Sequence, residues 1–294
     1  ASLVQSEDRC YKQDWRMDSY SELGLLDSHV QEGVEGDAQL KTQEVKSFFW
    51  DMRWWTWVHD YMSRKLSHPS DQYAAFAGAV QLFREMTGDE PVAGLWRRHL
   101  PLHLAWKVFQ GSMGIDHLPT RGTRRPSWTW MSYPQDNAVS VHNSEIDQSD
   151  LLANRKFICA EIIDIQIQWS GKSWTSTPAG SIKIRSRVDW LSSRTGYGDF
   201  VDVSWAFDPD IDPSICTEAQ RGGAFQVLAL SARFDELLFK ASYVCVEYLI
   251  IKPTEDAEVG EFIRIGRARR LYQCDSDDFP SWQTPGTTMD ITLV

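Results

Sequence analysis

The chain has 294 residues, with 30 Lys and Arg against 41 Asp and Glu, a formal charge of −11. That balance leaves no net positive field to collect phosphates, so nucleic acid and anionic membrane surfaces are disfavoured as partners. Hydrophobic residues make up 42%, enough for a core, and no apolar run approaches a bilayer's thickness; the best, Tyr243 to Ile251, is interrupted by Glu247.

The opening Ala1-Ser2-Leu3 lacks an initiator Met and an apolar stretch, and reads as a cut rather than a secretory leader. Residues 1–42 are acidic and nearly without apolar periodicity, so they are expected to form a loose lead-in. From Thr42, the residues Val45, Phe48, Phe49, Met52, Trp55, Met62 and Leu66 recur at helical spacing, widened by Trp54, Trp57 and Tyr61. This helix should stop at Ser67-His68-Pro69, since proline lacks the N–H to continue it. A second helix, capped by Ser67 or Ser70 with Asp71 near its positive end, turns Tyr73, Phe76, Ala77, Val80 and Phe83 inward and ends at Thr87-Gly88-Asp89. A third helical segment, broken near Pro101, is expected from Val92 to Phe109. Together these give a helical subdomain over 43–112 and a Gly/Pro-rich linker over 113–126.

Beyond the linker the period changes to two. Phe157–Trp169, Ser181–Leu191, Phe200–Phe207, Ala224–Arg233, Tyr243–Ile251 and Glu261–Tyr272 are rich in Ile, Val and aromatics and are parted by turn residues. Residues 127–294 therefore read as an antiparallel β domain (sheet, sandwich or partial barrel), and the whole as an α+β fold with the helical subdomain packed on it.

Chemistry-bearing patterns are sparse. His99 and His103 stand four apart, at metal-ligand spacing, but Pro101 lies between them, no third ligand follows, and Arg97 and Arg98 would repel a cation; a polar helix face is the better reading. Gly196-Tyr197-Gly198 precedes a strand rather than a helix, so it lacks the dipole a dinucleotide site needs. Asp208, Asp210 and Asp212 lack the glycine and closing glutamate of a calcium loop, and Glu255, Asp256 and Glu258 read as a second solvated acidic loop. The five cysteines, Cys10, Cys159, Cys216, Cys245 and Cys274, show no CxxC pair, and point to a reduced, cytoplasmic setting. No catalytic residue, cofactor or metal is assigned; a dispersed hydrolase using His59, Asp60 or His142 finds no local support. Fourteen tryptophans remain to be explained. Trp128 and Trp130, two apart and following Arg125, are the candidate ligand or partner contacts; the competing expectation is that they plug the joint between helices and sheet.

Four ordered segments carry a resemblance. Trp57-Val58-His59-Asp60-Tyr61-Met62-Ser63-Arg64-Lys65-Leu66-Ser67, with Ser70-Asp71 and Ala74-Ala75-Phe76-Ala77-Gly78, comes first. Val92-Ala93-Gly94-Leu95-Trp96, with Leu100-Pro101 and Leu104-Ala105-Trp106, comes second. Arg125-Pro126-Ser127-Trp128-Thr129-Trp130 and Gly260-Glu261-Phe262-Ile263-Arg264-Ile265-Gly266 complete the set. Together they resemble the region downstream of the HET domain in fungal heterokaryon-incompatibility proteins. Met62, Ser67 and Ala77 depart from the usual Ser, Thr and Ser. The Trp-x-x-Gln-Glu element of the HET effector is absent, because Gln31-Glu32 has no tryptophan three residues upstream. The resemblance implies a noncatalytic regulatory or recognition region of a nonself-recognition, cell-death protein, acting through a protein partner. The alternative expectation is a tryptophan-rich β-module that binds carbohydrate or another small ligand.

Overall fold

The computed structural model describes residues 37–64, 66–68, 71–110, 126–132, 139–142, 156–191, 200–205, 225–235, 243–254, 260–273 and 284–294. The chain divides into two units, Ala1–Glu44 and Val45–Val294. Of the first, only the opening turns of a helix are described, and the rest of the expected lead-in lies outside the described residues. That helix, α1, spans Asp37–Met62, beginning earlier than the periodicity predicts.

It also ends before the expected Ser67–Pro69 stop. Its last turn tightens: Arg64 N–H bonds Tyr61 O, while Ser63 Oγ donates to Asp60 O and Arg64 pairs with the Asp60 carboxylate. Carbonyls left over at a helix end are thus satisfied locally, well before proline is reached. Helix α2, Gln72–Thr87, buries Tyr73, Phe76, Val80 and Phe83, the inner face that its spacing predicts. Asp71 occupies its N-cap without a side-chain cap bond, and Gly88 closes it in the left-handed conformation, donating to Arg84 O.

The third helical segment is corrected. In its place stand β1 (Pro91–Val92), β2 (Leu95–Trp96), a one-turn helix α3 (Leu100–His103) and β3 (Lys107–Gln110), the last paired with β4 (Val139–His142). Ala93 and Gly94 both take positive φ, 46° and 88°, which turns β1 back on β2 as a tight hairpin. Pro101 sits in the first turn of α3, where its missing N–H costs nothing, so it starts a helix instead of breaking one.

The remaining strands are β5 (Lys156–Ile158), β6 (Glu161–Trp169), β7 (Pro178–Trp190), β8 (Phe200–Trp205), β9 (Gln226–Asp235), β10 (Tyr243–Pro253), β11 (Glu261–Gln273) and β12 (Thr287–Leu293). The first seven fall on the expected runs; β12 has no counterpart among them. Pairing follows β9-β10-β11-β12-β7 and returns from β7 to β9, so five strands close into a ring. The closing step is antiparallel, Val188 opposite Leu228, whereas β11 and β12 run parallel over two residue pairs. β8 adds to β11, β5 to β9 and β6 to β7.

Where β9 leaves β7, an extra residue in β9, Leu230, lets one strand change neighbours. Tyr248 faces Ala229 and Glu247 faces Ser231, leaving Leu230 unmatched, and its carbonyl accepts from the N–H groups of both Cys159 and Ala160. Ser186 Oγ fills the same gap, donating to Ala229 O at 2.6 Å. β5 and β6 are thereby one path with a kink, explaining why a single expected strand is seen as two.

Two apolar cores result. The first joins α1, α2, the β1–β2 hairpin and the 126–132 segment to Ile182, Ile184, Val188, Leu228, Leu230, Leu249, Ile251, Phe262, Ile291 and Leu293 of the ring strands. The second lies between β9, β10 and β11 and is largely aliphatic, with Ala229, Ala232, Val244, Val246, Ile250, Ile265 and Ala268 around Tyr248.

Candidate functional site

The four resembling segments meet in space. Trp54 of α1 touches Phe76 and Phe83 of α2 and Trp96 of β2, with ring centroids 5.0 to 5.2 Å apart, and Phe83 stacks on Trp96 at 4.4 Å. Phe76 and Tyr61 in turn pack against Trp130. Planar rings crossing edge to face fill the space between two helices and a hairpin.

Hydrogen bonds fix this packing. Thr129 Oγ1 donates to Ala93 O at 2.5 Å and Trp130 Nε1 to Gly94 O at 2.7 Å, so the Trp-Thr-Trp segment clamps both central residues of the hairpin turn. A Cβ on Gly94 would lie 3.0 Å from Trp130 Nε1, so glycine there serves both the positive φ and the approach of the indole. Trp106 Nε1 donates to Trp128 O. Arg264, from the last segment, lies over the Trp106 ring at 3.6 Å and donates a guanidinium N–H to Trp106 O; its backbone N–H bonds Ser127 Oγ. Ser127 Oγ itself donates to Val294 O.

Trp128 and Trp130 are wholly buried in the first core, where the Trp130 ring lies against Tyr61 and Phe76. Arg125 lies outside the described residues. Among the described tryptophans, Trp190, at the end of β7 and 57% exposed, is the exposed one.

The histidines behave differently from the expected polar face. Both converge on Asp51 of α1: His99 Nδ1 lies 2.5 Å from Oδ2 and His103 Nε2 lies 3.0 Å from Oδ1. Burial alone would raise the Asp51 carboxyl, but the two imidazoles outweigh it and hold the group at about 2. An ionised carboxylate only accepts, so each facing nitrogen carries a hydrogen toward it. His103 is fully buried against Trp55, and its Nδ1 has no hydrogen-bond partner among the described residues; His99 is partly open to solvent. Among the described residues no three-ligand group could hold a metal ion, and no serine, threonine or cysteine is bonded to either imidazole. Arg97, expected to crowd the pair, turns away to Glu90. What the cluster does is tie α3 to α1.

Asp51 is not among the sequence-derived candidates, although its position holds a signal. It stands four residues before Trp55 and seven before Val58, a carboxylate in an apolar stripe that must find donors when buried. His59 and Asp60 lie exposed on α1, with Asp60 engaged by Arg64. The side chain of His142, the loops at Asp208–Asp212 and Glu255–Glu258, and the Gly196-Gly198 turn lie outside the described residues.

A second buried polar cluster sits on β10 and β11. Glu247 accepts from Arg267 at 3.0 Å and from Arg269, and Arg267 is completely enclosed. Nearby, the hydroxyls of Tyr248 and Tyr272 share a 2.7 Å hydrogen bond, and burial pushes both phenols upward. Cys159 is partly buried beside Thr284, its thiol raised by burial, and Cys245 is buried; among the described residues neither is in a disulfide. No helix among the described residues is long and apolar enough to cross a membrane. The chain matches no protein-family profile, no curated protein and no solved structure.

Proposed function

We propose that this chain is a noncatalytic regulatory or recognition region of a heterokaryon-incompatibility-type protein, acting in the cytoplasm through contacts with a protein partner. One observation carries the reading. The four segments that resemble that family are not scattered signals but one packed unit, in which Tyr61 and Phe76 lie against Trp130, Thr129 and Trp130 hold Ala93 and Gly94, and Arg264 holds Trp106 and Ser127. Shared residues that serve one scaffold are what a common fold, rather than a common reaction, would preserve. The test is expression in a fungal host, alone and joined behind a HET effector domain. Alone, the chain should cause no death; joined, it should alter when the effector kills. Death caused by the chain by itself, or an effector equally lethal with and without it, would overturn the proposal.

The carbohydrate alternative has a narrower footing, the exposed ring of Trp190. A binding platform there predicts that glycan addition changes tryptophan fluorescence and that Trp190→Ala abolishes the change. An unchanged spectrum across a glycan panel removes it.

A further inference from the structure

We propose that the outer edge of β6 pairs antiparallel with β6 of a second copy of this chain. β6 is bonded along one side to β7, from Glu161 opposite Arg185 to Trp169 opposite Pro178, and among the described residues no strand pairs with its other side. Gly180 is what lets β7 lie so close, since a Cβ there would meet Gln166 O. An edge of this kind presents a row of unpaired N–H and C=O groups, which folded chains usually blunt with lysine, proline or brevity. β5 has only three residues; β6 has nine, with neither lysine nor proline. Its single irregularity falls between Ile162 and Asp164, leaving Asp164 to Trp169 regular.

The side chains of that stretch are already sorted. Ile165, Ile167 and Trp169 pack on the first core, while Asp164, Gln166 and Gln168 are exposed. What remains on offer is backbone, so the occupant must be an extended strand whose own alternation continues both faces. β6 itself meets that condition. With Gln166 on a two-fold axis, Gln166 faces Gln166, Ile165 faces Ile167 and Asp164 faces Gln168. Isoleucines stay on the core side, amides on the exposed side, and no like charges meet. Centring the pair on Asp164 would instead oppose two carboxylates, so charge disfavours that register.

Sedimentation equilibrium of the full chain over micromolar concentrations should show a dimer. Gln166→Lys places two ammonium groups face to face and should weaken association about fivefold, whereas Gln168→Lys meets Asp164 and should leave it equal or tighter. Gln166→Cys under mild oxidation should give a disulfide-linked dimer that the parent chain, with its own cysteines, does not. Circular dichroism and thermal unfolding check that each variant stays folded. A monomer at every concentration overturns the proposal, as does a dimer that both lysine variants weaken alike or that the Gln166→Cys variant fails to cross-link.

Discussion

The two cores of the Val45–Val294 unit bury apolar surface by different means. The first sets indoles and phenyl rings at crossing angles against aliphatic side chains of the ring strands, and the Nε1–H groups of Trp106 and Trp130 donate to the carbonyls of Trp128 and Gly94. The second is built from valine, alanine and isoleucine between three strands, where any side chain of similar volume fills the space. An aromatic core specifies its neighbours one by one, and an aliphatic core specifies mainly a volume.

The comparison breaks most readily at Trp130. Trp130→Ala removes a wholly enclosed ring and the clamp on Gly94, and should cost about 4 to 5 kcal/mol, read as a lowered denaturation midpoint in urea. If Trp130→Ala costs no more than Val246→Ala in the aliphatic core, the distinction fails. Glu247→Ala removes the buried carboxylate that pairs with both Arg267 and Arg269 and should cost about 3 to 4 kcal/mol by the same measurement.

A third effect depends on acidity. The Asp51 carboxyl, held at about 2 in the fold against an ordinary 3.8, binds a proton less readily folded than unfolded. It therefore contributes about 2 kcal/mol above pH 3.8, lost as the pH falls toward 2. Urea midpoints followed from pH 6 to pH 2 should show this slope, and Asp51→Asn should flatten it. The smallest effect compares two indoles of the aromatic core. Trp96 Nε1 has no hydrogen-bond partner among the described residues, so Trp96→Phe relieves a buried donor while it removes ring volume, and should cost about 1 kcal/mol. Trp130→Phe, which also unbonds Gly94 O, should cost about twice that. Equal losses at the two positions would mean that ring volume alone decides.

Strands β5 to β11 are legible in the sequence because alternating apolar and polar residues reveal a half-buried strand, as Ile182, Ile184, Ser186 and Val188 do. The 92–109 segment is not. Its apolar residues happen to fit a helical period, and only the conformations of Ala93 and Gly94 make it a hairpin. β12 is hidden because Thr287-Thr288-Met289-Asp290 is exposed and lacks an apolar alternation, and only Ile291 and Leu293 face the core. Burial of Trp128 and Trp130 is one of two readings that their spacing allows, since spacing gives the face and not what covers it. The Asp51 cluster joins residues 48 and 52 positions apart, and no local pattern reaches so far.

The place of β12 has a consequence for how the chain reaches this fold. It is inserted between β7 and β11, with Val188 opposite Thr287 and Phe262 opposite Leu293. During synthesis the ring therefore stays open until β12 has left the ribosome, and until then β7 presents a bare edge along Ile182 to Val188 and β11 a short one at Glu261 and Phe262, beside its pairing with β8. Closure of so long a loop is slow, and the waiting edges are open to pairing with other nascent chains. A ribosome paused before residue 287 would carry helices able to pack locally beside a sheet unable to close.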